Sequence, residues 1–174
     1  LAVGGWGRSS GFPGMAGNVQ ARQRFVKELA NFCQTNGFAG VVYDWEFPSN
    51  PKEEVSYGLL FRDTKLLFAP KKWSVECAVN PARPFPRAWL EHLDAVQVMS
   101  YDNGPRHSTY AQSEKDLNAM RKLGVPANKL LLGLPFYGRQ ITNRDNALTY
   151  AEIKQRFRPG NHQDEAGGFY FNGP

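Results

Sequence analysis

Apolar residues along the chain fall into two alternating patterns: short dense runs, and longer stretches where they recur every three or four positions. Residues 1–6 form the first run. Asn18 then stands as an N-cap, Phe25, Val26, Leu29, Phe32 and Cys33 recur at helical spacing, and Gly37 is placed to end that helix. Residues 38–47 make a near-continuous apolar strand. Asn50 and Pro51 open a second helix, with Val55, Leu59, Leu60, Leu66 and Leu67 as its apolar stripe. The pattern predicts further strands at residues 73–79, 95–100 and 130–135. A short helix at 86–93, and one at 113–123 closed by Gly124 with Pro126 beyond, lie between them.

Strand and helix repeated in this order predict parallel strands joined by right-handed crossovers. Strands covered by helices on both sides should be apolar on both faces. A doubly wound sheet and a (β/α) barrel both fit. After Arg139 the rhythm changes: Thr149 and Glu152 make a capping box for a helix to about 157, followed by a loop and a strand at 168–172. That stretch reads as an appended element. The expected division is 1–142 for the strand–helix body and 143–174 for the beginning of a small α+β insertion.

Composition narrows the classes. With 41% hydrophobic residues the chain of 174 is globular, not disordered. No apolar stretch approaches the roughly 20 residues that cross a bilayer, so no membrane partner is expected. The net charge is +5, yet basic residues are interleaved with acids, as in Arg22, Arg24, Lys27 and Glu28. That is the look of solvated helix faces, and no nucleic-acid partner is expected. Cys33 and Cys77 are too few for a disulfide framework and read as buried free thiols. The chain starts in a strand with Leu1 and shows no signal peptide, which fits a mature piece or a fragment.

The most informative segment is the strand at 38–47. Alternation puts Val42, Asp44 and Glu46 on one face and Val41, Tyr43 and Trp45 on the other. Asp44 and Glu46 would then stand about 6.5–7 Å apart at their Cα atoms. Two buried carboxyls repel, so one tends to keep its proton. A protonated acid beside an ionised partner suits glycosidic-bond cleavage, where the leaving oxygen must be protonated. Two acids that end a strand at the solvent and pair with Lys or Arg fit the composition equally well.

Asp44-Trp45-Glu46-Phe47-Pro48 resembles the Asp-x-x-Asp-x-Asp-x-Glu signature of glycoside hydrolase family 18, the chitinases, on the fourth strand of a TIM barrel. Ala2 to Trp6 is similar to the Ser-x-Gly-Gly motif of the third strand. The segment from Gln97 to Asp102 resembles the Met-x-Tyr-Asp segment of the sixth, and Gly133 to Arg139 the seventh strand and its loop. The resemblance implies an α/β fold: a partial (β/α)8 TIM barrel of about five parallel strands. It also implies hydrolysis of β-1,4 bonds in chitin or N-acetylglucosamine oligosaccharides by a substrate-assisted retaining mechanism, with no metal or organic cofactor. Glu46 would be the acid and base, Asp44 would orient the acetamido N–H, and Tyr101 would donate near the acetamido oxygen. Met99 and Asp102 would line that subsite, Tyr137 and Arg139 would contact sugar hydroxyls, and Trp6 would stack on a pyranose ring. Secretion is the family default.

Three positions depart from the signature: Ala39 and Val42 stand where it has its first two Asp, and Ala2 where the other motif has Ser. Losing both polar partners together is compatible with stability, and the expected cost falls on rate or pH optimum. An alternative reading is a chitinase-like lectin with little turnover. A complete barrel takes about 250 residues, so the rest of its own barrel is an expected partner. His92 and His107 receive no role, and Glu76 faces either the barrel interior or the strand's exposed end.

Overall fold

The computed structural model describes residues 1–171. Asn172, the last residue of the expected strand 168–172, and the final two positions of the expected insertion lie outside the described residues. The chain divides into two compact units.

The first unit comprises Leu1–Val79, Arg83–Gln97 and Arg121–Leu131. Its elements are β1 (Ala2–Gly4), α1 (Phe12–Gly17), α2 (Val19–Asn36), β2 (Gly40–Asp44), α3 (Pro51–Phe68), β3 (Ser74–Val79), β4 (Ala95–Val98) and β5 (Leu130–Leu132). The five strands form a parallel sheet in the order β1–β2–β3–β4–β5, with helices in the crossovers, as in part of a (β/α)8 barrel. Local chemistry sets the helix ends. The Asn18 side chain accepts from the Ala21 N–H at 2.9 Å, Asn50 accepts from Glu53 at 3.0 Å, and Gly37 closes α2 in the left-handed region. Residues 86–93, expected as a short helix, contain a 3-10 turn at Arg87–Glu91.

Three expectations are corrected in this unit. All five strands are shorter than the apolar runs that announced them, β3 by a single residue: β2 stops at Asp44 because its partner β1 stops at Gly4, the residue in register with it. The stripe of α3 is shifted. Val55 and Leu66 are exposed, and the helix buries Tyr57, Leu60, Phe61, Thr64 and Phe68, with Tyr57 and Phe61 among the aromatic rings of Tyr43, Phe12 and Trp89. The sheet is also not equally covered. Val75, Cys77 and Val79 of β3 are buried, whereas Ser74, Glu76 and Ala78 form a half-buried face. Cys33 and Cys77 are buried free thiols, as their neighbours in sequence suggested.

The second unit comprises Asn80–Ala82, Val98–Met120 and Leu132–Pro174, as far as it is described. It holds α4 (Tyr110–Lys122), β6 (Tyr137–Gln140), β7 (Ala147–Thr149), α5 (Tyr150–Phe157), β8 (Glu165–Ala166) and β9 (Phe169–Tyr170). The four strands form a small sheet in the order β7–β6–β9–β8, antiparallel at each pairing. The capping box at the head of α5 is complete: Thr149 Oγ1 accepts from Glu152 N, and the Glu152 carboxylate accepts from Thr149 N at 2.8 Å. Leu148, Ile153, Phe169 and Phe171 make the core beneath this sheet. Gly138 is required there, because a Cβ would lie 2.6 Å from Ile153 Cδ1 and 2.8 Å from the Tyr170 carbonyl oxygen.

Candidate active site

In the first unit, Asp44 is the last residue of β2 and Glu46 lies in the bend just beyond it. Strand alternation therefore ends before Glu46, and the backbone there is fixed by other means. Trp45 turns into the core, stacked on Phe12 with centroids 5.1 Å apart. Its N–H donates to the Tyr57 hydroxyl at 3.2 Å, and the Glu46 N–H donates to Ser9 Oγ at 3.0 Å. The Ser9 hydroxyl in turn faces the carbonyls of Gly5 and Asp44, each at 3.2 Å. Both amides that the ladder leaves unpaired are thus satisfied by side chains from other elements. The Glu46–Phe47 peptide is cis.

β1 approaches this end of β2 through glycine. Gly4 and Gly5 have φ of 104° and 103°, and a Cβ on Gly4 would lie 2.2 Å from the Asp44 carbonyl oxygen. The Gly5 N–H donates to that same carbonyl at 2.7 Å. The Asp44 carboxyl is half-buried, and its Oδ1 is buried without a hydrogen-bond partner. Burial pushes its pKa above the usual carboxylate range. Trp6, in the turn after β1, presents its ring to solvent at 81% exposure. Val42 and Ala2 sit opposite each other in register and place no polar atom beside Asp44.

In the second unit, Met99, Tyr101 and Asp102 follow β4, while Tyr137 and Arg139 lie on β6. Four of these five come together. Arg139 grips the Asp102 carboxylate through Nε and Nη2 and donates from Nη1 to the Arg144 carbonyl at 2.6 Å. Arg144 closes the ring by donating to the Asp102 carbonyl. The Tyr137 hydroxyl also donates to the Asp102 carboxylate, and its ring meets Tyr101 edge-on at 6.4 Å. Burial opposes the charge on Asp102, but the bonds from Arg139 and Tyr137 outweigh it, so its pKa is lowered. The Tyr137 phenol is pushed up, first by burial and then by Asp102. Met99 is half-buried.

Three residues matter here that the sequence did not single out. Ser9 and Tyr57 hold the backbone on either side of Asp44 and Glu46, a role visible only once residues 35 or more positions apart in one case, and 12 in the other, are brought together. His107 is fully buried, stacked 5.2 Å from Tyr137, with Nδ1 3.7 Å from Asp102 Oδ1. Neither of its ring nitrogens makes a well-formed hydrogen bond. Burial lowers its pKa, against the pull of Asp102 and the Tyr170 carbonyl, so it backs the Asp102–Tyr137 pair as a neutral ring near neutral pH.

The profile described as Glycosyl hydrolases family 18 matches residues 1–172. Chitotriosidase-1 of Mus musculus is 31% identical over 179 residues, covering 82% of this chain and 39% of the mouse protein. The Endochitinase of Manduca sexta is 30% identical over 177 residues, covering 82% of this chain and 32% of its own length. The chain therefore spans well under half of these curated relatives. Among solved structures, a chitinase from Bacteroides thetaiotaomicron superposes with a TM-score of 0.79 at 25% identity, over 93% of this chain and 57% of that one. The GH18 chitinase ChiB from Flavobacterium johnsoniae shares the fold at a TM-score of 0.84 and 23% identity, over 99% of this chain and 60% of that one. A match over nearly every residue, with the signature segment at the carboxyl end of β2, makes the conclusion plain: this chain belongs to glycosyl hydrolases family 18.

Proposed function

We propose that this chain carries catalytic residues of a retaining, substrate-assisted hydrolase of β-1,4-linked N-acetylglucosamine polymers. The observation that carries the reading is the Asp44 carboxyl: half-buried, with one oxygen unpartnered and its pKa raised, two residues before an acid whose backbone is clasped by Ser9. An orphaned buried carboxyl oxygen costs about 1–3 kcal/mol and is retained where it has a partner to meet. An acetamido N–H of the substrate supplies that partner. Glu46 donates its proton to the leaving glycosidic oxygen, while the acetamido oxygen attacks the anomeric carbon. Asp44 holds the acetamido nitrogen in line and faces the positive charge that develops on the oxazolinium ring. Glu46, now ionised, takes a proton from the water that opens the ring, with net retention.

Tyr101 is assigned a hydrogen bond to the acetamido oxygen, Met99 and Asp102 the lining of its subsite, Tyr137 and Arg139 contacts to sugar hydroxyls, and Trp6 a stacking face. These roles follow the resemblance. The Arg139–Asp102–Tyr137 ring supports them in one respect, since it presents charge and hydroxyl groups already oriented by one another.

The test is release of a chromophore from an N-acetylglucosamine oligomer by the full-length protein beside Glu46→Gln. The expected result is turnover by the wild type and a loss of at least about 100-fold in the variant. Binding of the oligomer without turnover by either protein would favour a lectin and overturn the hydrolase reading.

A further inference from the structure

Glu76 has no place in the chemistry described so far, although it stands in the middle of β3. Its Cα is in register with Val42, and parallel strands project in-register side chains to the same face. That face is the half-buried one, and it also carries Asp44 one pleat further along β2. The next strand contributes Gln97, whose Nε2 donates to Glu76 Oε2 at 2.8 Å. Across β1 to β4 the layer beneath Asp44 therefore reads Ala2, Val42, Glu76, Gln97, with Glu76 its ionisable member.

We infer that Glu76 is a positioning residue for Asp44, taking up the proton of a protonated Asp44 and returning it in each turnover; this rests on the hydrolase reading above. Strands about 4.8 Å apart and an advance of two residues put the two Cα atoms about 8 Å apart on the diagonal. Side chains on one face at that separation are within reach of a bridging water. The Glu76 end is held by Gln97, and the Asp44 end offers an unpartnered Oδ1. Both carboxyls also act on the same neighbour, the buried Cys77 thiol, which burial raises first and their charges raise further.

In the step, the O–H bond of a protonated Asp44 breaks and its proton forms an O–H bond on the Glu76 carboxylate. Asp44, now charged, accepts the acetamido N–H and stabilises the cationic intermediate. When water opens that intermediate, the proton returns from Glu76 to Asp44. No electron transfer and no further reactant is involved. Apart from Glu46, two positions beyond Asp44, the titratable groups coupled to the pair among the described residues are Cys77 and Tyr57, both kept protonated by burial. Val42 and Ala2 add none, and Gln97 is neutral.

The test compares kcat and KM against pH for the full-length wild type, Glu76→Gln, and Glu76→Gln combined with Val42→Asp. Glutamine keeps a partner for Gln97, so the fold is preserved. The expected result is a fall in kcat of about 10-fold or more for Glu76→Gln, with a displaced pH profile and KM within about two-fold. The double variant, which puts a carboxyl back beneath Asp44 on β2 itself, is expected to recover kcat and the profile. Wild-type kcat and profile in Glu76→Gln, or a loss that Val42→Asp fails to restore, would overturn the inference. If the wild type itself does not turn over, the hydrolase reading has failed, and a carbon-13 carboxyl titration of this chain decides the inference alone. Asp44 titrating differently in Glu76→Gln sustains the coupling, and an unchanged Asp44 curve removes it.

Discussion

Asp44 sets burial against charge, and the sign of that conflict is measurable. In the folded chain its pKa lies above that of an exposed aspartate, so the folded state binds the proton more tightly than the unfolded state. Stability is then lost as pH rises from the ordinary carboxylate value through the folded one, and the loss is complete above both. Asp44→Asn removes that titration. Its stability relative to wild type should therefore increase from about pH 4 to about pH 8, measured by urea denaturation at both, while hydrolysis is lost. A relative stability that stays flat or falls over that interval would contradict the assignment of a buried, strained carboxyl. At this scale the two acids were conspicuous because carboxyls two positions apart in an apolar run are unusual, whereas their proposed roles come from the resemblance. Ser9 and His107 were not, since a serine in a glycine-rich loop and a histidine after a turn look ordinary until Asp44 and Asp102 are placed beside them.

At the scale of elements, the meeting of β1 and β2 is the joint on which the acids depend. Gly4→Ala would bring a methyl group to 2.2 Å from the Asp44 carbonyl oxygen at a φ of 104°. Strain of about 1–3 kcal/mol, with displacement of the β2 end, is the expected result. The measurement is the urea midpoint together with oligomer hydrolysis, both of which should fall; a variant with an unchanged midpoint would mean that the two strands do not meet this closely. Caps were the most legible features, because Asn18, Asn50 and the Thr149–Glu152 pair act on amides three residues away. The α3 stripe was misread because Val55 and Leu66 are apolar yet exposed, while Thr64 is buried by bonding Tyr43 at 2.7 Å. The helix Phe12–Gly17 was missed altogether. Its three-glycine loop context gives weak helix propensity, and its place is set by Phe12 packing on Trp45.

Across the whole molecule, alternation made parallel strands with right-handed crossovers legible but left a doubly wound sheet and a (β/α) barrel both open, and the sequential order of the five strands followed from the resemblance. Of the small antiparallel sheet, β9 falls within the strand expected at 168–172, whereas β6 to β8 were not foreseen as its strands; β8 is two residues long and carries no periodic signal. Family membership rests on the whole span of the chain, whereas the proposed chemistry rests on two carboxyls and the way that neighbouring strands and loops hold them. The stereochemistry of the first product tests that chemistry most directly. Proton NMR of N-acetylglucosamine oligomers during early hydrolysis by the full-length protein should show the β-anomer appearing first, with the α-anomer following only by mutarotation. An initial α-anomer would contradict the account, because it requires direct attack by water and leaves Asp44 no oxazolinium ion to stabilise.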